Sequence, residues 1–171
     1  AARRKSVLLA DMDSTMIEQE CIDELAAEIG IKDAVAGITA RAMNGEIDFE
    51  PALRERVALL KGLPEDVIAK VIDERITLAS GGPTLIATMR ANGAYTALVS
   101  GGFTAFTRVI AARLGFDENR ANVLLSDNGA LSGFVAEPIL GADAKVTALQ
   151  EVSAARGVSL SQTIAVGDGA N

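Results

Sequence analysis

Asp11 and Asp13 stand two residues apart in Asp11-Met12-Asp13-Ser14-Thr15, directly behind the apolar run Val7-Leu8-Leu9-Ala10. If that run is a buried strand, residues i and i+2 share a face, and both carboxylates leave its tip in one direction. Adjacent carboxylates repel, and desolvation makes each more costly. A divalent cation removes the conflict, and oxygen ligands of this kind suit Mg²⁺. Two more strand-like runs end in chemistry-bearing residues: Thr96 to Val99 in YTALVSGG and Thr163 to Val166 in TIAVGDGAN. The last presents Asp168, a natural third metal ligand. The other presents Ser100 before Gly101, Gly102 and a helix, so a hydroxyl, free backbone N–H groups and a helix N-terminus together form an anion cradle. Lys145 lies near the start of a helical stretch capped by Asp143, where a cation opposes the helix dipole unless an anion is close. Singly, each feature has a plainer reading: a turn cap, a tight turn, an exposed lysine. Their combination points to a bound anion beside a metal ion.

The totals exclude other classes. The chain has 171 residues, 49% hydrophobic and 23% charged, which suits one domain or one domain with a modest insertion. Its 16 Lys+Arg against 23 Asp+Glu, net −7, argue against a nucleic-acid surface, which needs clustered positive charge. The short cluster Arg3-Arg4-Lys5 reads as a solvated end. The lack of histidine removes serine–histidine triads and most zinc sites. One cysteine allows no intrachain disulfide, so a reducing, cytoplasmic location is expected. With no histidine to activate it, Cys21 reads as a small hydrophobe on a helix. The run at 7–10 is too short for a secretory core or a membrane span. A first residue other than Met, and a last one, Asn171, inside a glycine-rich turn, are expected of a piece of a longer chain.

Around the three tips, short apolar runs alternate with helical patterns, as in an α/β protein with a parallel sheet. Ligands in such sheets bind beyond the carboxyl ends of the strands, so the tips are expected to share one site. About eighty residues separate the first two strands, too many for one crossover helix. Most of 16–79 reads as helix: IEQECIDELAAEIG, DFEPALRERVALLKG with Asp48 as N-cap and Pro51 in the first turn, and LPEDVIAKVIDERI. This segment is expected to be an inserted helical cap, with 1–15 and 80–171 forming the main domain. GPTLIATMRANG and TAFTRVIAARLG read as helices, and NVLLSDNGALSGFV as a hairpin around Asn128-Gly129.

In order, Asp-x-Asp-x-Thr, Ser-Gly-Gly, a lysine and Gly-Asp-Gly resemble the four motifs of the haloacid dehalogenase superfamily of phosphotransferases. DMDSTMIEQECIDELA, ITARAMNGEIDFEPALRERVALLKGL, VSGGF and VGDGAN are similar to the branch that acts on O-phospho-L-serine, and the likeness covers essentially all of the chain. It implies a Rossmann-like parallel sheet flanked by helices, with a small helical cap after the first strand. The C-terminal part of that fold is expected to be missing, because the family pattern continues past Gly-Asp-Gly-Ala-Asn with another aspartate and further strands and helices. By the same resemblance Asp11 is the nucleophile and Asp13 the acid/base. Asp11, the backbone carbonyl of Asp13, and Asp168 hold Mg²⁺, while Ser100, Gly101 N–H and Lys145 bind phosphoryl oxygens. Arg56, about two helical turns after Phe49, binds the substrate carboxylate and Glu20 its ammonium. Met43 and Phe49 wall off water, and Asn171 adds a substrate contact. Without the resemblance, Glu20, Met43, Phe49 and Arg56 read as core or solvated positions. The implied reaction is Mg²⁺-dependent hydrolysis of phosphoserine, the last step of serine biosynthesis. Transfer of the phosphoryl group to an alcohol such as homoserine, and a non-catalytic fragment that binds a phosphorylated ligand, are the alternatives. A receiver-type regulator ranks below both, since it leaves the helical insertion unexplained. Oligomeric state is not readable from the residues.

Overall fold

The computed structural model describes residues 4–169. Its strands are β1 (Val7–Ala10), β2 (Tyr95–Phe103), β3 (Glu118–Asn122), β4 (Leu124–Asp127), β5 (Ala130–Val135) and β6 (Thr163–Val166). Its helices are α1 (Cys21–Glu28), α2 (Lys32–Met43), α3 (Phe49–Ala58), α4 (Asp66–Glu74), α5 (Gly82–Ala91), α6 (Thr104–Leu114) and α7 (Ala142–Ala155). β1 lies inside a parallel four-stranded sheet ordered β3-β2-β1-β6, with Ala10 opposite both Leu98 and Val166. Every residue of β1 is buried. Leu8 and Ala10 face a large apolar cluster that continues through Met12, Leu25 and Val57 into the helical segment, and through Phe106 and Ile110 into α6. Leu9 faces a smaller cluster with Ala97, Val99 and Ala148 of α7. With both faces covered, an unbroken apolar run is what the strand requires.

The hairpin β4-β5 forms its own two-stranded sheet. Asn128 and Gly129 both take positive φ, 51° and 80°, the primed turn that matches strand twist. The hairpin bonds to the connection between α3 and α4: Gly62 N donates to Leu131 O and Leu131 N to Leu63 O, both at 2.8 Å. Gly133, at φ +83°, lies so near α3 that a Cβ there would sit 3.0 Å from Lys61 Cβ.

Four local expectations need correction. The first cap helix begins at Cys21, because Ile17 forms an antiparallel bridge with Leu78. β2 runs past Ser100 to Phe103, with a register irregularity between Val99 and Phe103 that accommodates the glycines. Gly141, in extended conformation, is the N-cap of α7, so Asp143 sits within the first turn and does not cap it. β3, Glu-Asn-Arg-Ala-Asn, was not anticipated: it is an edge strand whose polar side chains find partners, among them Tyr95 Oη to Glu118 and Thr107 Oγ1 to Asn119, both 2.8 Å. Among the described residues no helix is long and apolar enough to cross a membrane.

Candidate active site

The carboxyl ends of β1, β2 and β6 carry the chemistry. Asp11 is 4% exposed at the tip of β1, and its N–H donates to Val166 O of β6 at 2.9 Å. Its Oδ1 accepts from Met12 N at 2.7 Å, and its Oδ2 accepts from Lys145 Nζ. Lys145 reaches it from the first turn of α7, which places an ammonium against the macrodipole and directly on an anion.

Beyond Asp11 the chain turns sharply. Ser14 takes φ 52°, and Met12 O accepts from both Met16 N and Ile17 N. The turn brings Asp13 back beside Cys21, the buried first residue of α1. Asp13 Oδ1 and Thr15 Oγ1 are buried without a hydrogen-bond partner among the described residues. Burial pushes the Asp13 carboxyl from 3.8 up to about 7; the Cys21 thiol opposes that rise, and Glu20 and Asp11 add to it.

Ser100 is 2% exposed, and its Oγ accepts from Gly102 N at 2.9 Å. A Cβ on Gly102 would stand 2.9 Å from Asp13 Oδ2 and 3.2 Å from Ser100 Oγ, so only glycine lets the three groups meet. Sequence reasoning placed Gly102 in an anion cradle and missed this close approach. A Cβ on Gly101 would lie 3.1 Å from Phe49 Cζ, and one on Gly141 3.4 Å from Phe49 Cδ1. The Phe49 ring, on the first residue of α3, therefore rests across both loops.

The helical segment supplies opposite charges. Glu20, N-cap of α1, accepts from Ser14 Oγ at 2.6 Å; desolvation raises its pKa, and repulsion from Asp23, Asp168 and Asp11 adds to the rise. Arg56 is part-buried, donating to Ala52 O at 3.2 Å and Thr39 Oγ1 at 3.3 Å. Burial lowers its pKa, while Asp23, Glu20 and Asp13 act in the other direction. Arg56 thus faces the acidic side of the site. Met43, last in α2, stays 78% exposed and is the outermost of the proposed positions. Asn171 lies outside the described residues.

Asp168 is two residues beyond β6, the strand paired with β1, and exposed. Among the described residues no three His, Cys, Asp or Glu side chains gather as a metal cluster. Mg²⁺ is ordinarily held by one or two carboxylates, with waters and phosphate completing the shell. The donors at hand, two aspartates from adjacent strand tips and a backbone carbonyl, are hard oxygens of the required kind.

Residues 8–171 match the family described as haloacid dehalogenase-like hydrolase. The chain belongs to that family. This chain is 44% identical to a phosphoserine phosphatase of Archaeoglobus fulgidus over 99% of its own length and 49% of that protein. It is 41% identical to one of Methanocaldococcus jannaschii, covering 99% of this chain and 80% of the relative. A substrate-bound phosphoserine phosphatase complex superposes with TM-score 0.90 at 40% identity, over 98% of this protein and 80% of that chain. The chain spans about half the length of several curated relatives that it matches, 49%, 57% and 41%.

Proposed function

We propose that the site hydrolyses O-phospho-L-serine to L-serine and phosphate through an aspartyl phosphate on Asp11, as the last step of serine biosynthesis in the cytoplasm. The reading rests on one contact: a buried carboxylate at a strand tip, Asp11, with Lys145 on one oxygen and a main-chain N–H on the other. Those donors orient the carboxylate so that a phosphorus atom can meet it in line. The phosphoserine phosphatases at 41–44% identity supply the substrate.

Asp11 attacks phosphorus, forming its own P–O bond as the bond to the seryl oxygen breaks. Asp13, held near 7 by burial, carries a proton to that leaving oxygen and then removes one from the water that cleaves the acyl phosphate. Ser100, Gly101 N–H and Lys145 hold the remaining phosphoryl oxygens. Asp11 and Asp168 with the Asp13 carbonyl would bind Mg²⁺, which when present offsets charge on the transferring group. Residues 16–79 act as the cap: Arg56 takes the carboxylate, Glu20 the ammonium, and Phe49 and Met43 exclude water at the rim.

Phosphate release from L-phosphoserine with MgCl₂ tests the proposal, repeated with a chelator and with Asp11→Asn. The expected result is release that the chelator abolishes and that Asp11→Asn lowers by on the order of a thousandfold or more. Release that survives Asp11→Asn overturns the mechanism. Phosphate yield unchanged by an added alcohol acceptor is also expected of a hydrolase.

A further inference from the structure

We propose that Asn122 is a positioning residue that sets the phosphoryl-binding loop by holding one peptide plane. It ends β3, is 2% exposed, and spends its carboxamide entirely on backbone. Nδ2 donates to Gly101 O at 2.8 Å and to Leu140 O at 3.1 Å, and Oδ1 accepts from Leu140 N at 2.7 Å. Donors and acceptor are thus both matched, which fixes the orientation of the amide.

The need arises in β2. Its ladder with β3 is interrupted between Val99 and Phe103, so Gly101 O lies where the regular register fails. A buried carbonyl left without a partner there is costly, and Asn122 supplies the missing donor from a side chain. The Gly101 carbonyl and the Gly102 N–H belong to one peptide unit. Its oxygen is held by Asn122 and its N–H donates to Ser100 Oγ at 2.9 Å. Because Ser100 Oγ accepts that bond, its own proton is left to donate to an anion. Asn122 therefore acts on the phosphoryl group through the Gly101–Gly102 peptide and Ser100. The same side chain grips Leu140, next to the Gly141 N-cap of α7, so the elements bearing Ser100 and Lys145 are tied to one amide. This rests on the reading of Ser100 as a phosphoryl contact.

A double-mutant cycle on the whole chain tests it, with binding of inorganic phosphate in MgCl₂ measured by titration calorimetry. Asn122→Asp keeps the shape and the acceptor but removes both donors. It is expected to weaken phosphate binding about tenfold or more, since small displacements of such loops are costly. In a Ser100→Ala background the same change is expected to cost less than about threefold, because the group through which it acts is gone. Equal losses in both backgrounds would make Asn122 merely structural and overturn the inference, as would undetectable phosphate binding by the wild type. If Asn122→Asp does not fold by circular dichroism, Asn122→Ala carries the same expectations. Wild-type protein that binds phosphate yet releases none from phosphoserine sinks the proposed function and leaves this inference standing.

Discussion

At the scale of single residues, the Asp13 carboxyl is the most informative group, because its burial makes a signed prediction. Its pKa is about 7 in the folded chain against 3.8 ordinarily, so the folded state binds the proton more tightly. Its contribution to stability is complete below about 3.8 and is lost as pH rises through about 7. In chelator, Asp13→Asn is therefore expected to melt above the wild type at pH 8 and level with it near pH 4, by calorimetry. Matching melting points at both pH values would contradict the burial. Gly102→Ala tests packing: its Cβ meets Asp13 Oδ2 and Ser100 Oγ, and a roughly hundredfold fall in kcat/KM is expected with the fold retained. For Arg56→Ala, loss of a charged hydrogen-bonding group predicts a drop of about 10–150-fold on phosphoserine. p-Nitrophenyl phosphate, which lacks the amino-acid carboxylate, is expected to fall less than about threefold, and comparable losses on both would return Arg56 to a structural role.

Among the elements, the β4-β5 hairpin matters through what it touches. Gly133 takes φ +83° with Lys61 Cβ and the Ala58 backbone against it, so Gly133→Ala adds both strain and contact. It is expected to destabilise by on the order of 1 kcal/mol or more in urea titrations; an unchanged midpoint would show the hairpin free to shift. Legibility followed enclosure. β1 and β2 could be read as unbroken apolar runs because neighbours cover both of their faces. β6 had the same letters although Ala165 is exposed at the sheet edge. β3 hid because Glu118, Asn119 and Arg120 satisfy themselves through side-chain partners, which no local pattern announces. In the site, the aspartates and Ser100 were legible because each stands within three residues after a strand-like apolar run. Asn122 was not, since its partners Gly101 and Leu140 are distant in sequence. That Arg56 feels the charge of Glu20 was readable only through the family resemblance, because helical periodicity gives a face and not what faces it.

Over the whole molecule, acidic groups converge on one end of the sheet: Glu20 feels Asp23, Asp168 and Asp11, and Asp13 feels Glu20 and Asp11. Magnesium is therefore expected to raise the melting temperature, with the gain growing with its concentration and largely removed by Asp168→Asn. An equal gain in that variant would place the ion elsewhere. The sheet order also imposes a schedule on biosynthesis. β1 leaves the ribosome well before β6, yet β6 is one of its two flanking strands, and the Asp11 amide bonds to Val166. A nascent chain arrested near residue 150 holds Asp11 and Lys145 with only one side of β1 paired. Asp11 is thus translated before the strand that secures its backbone.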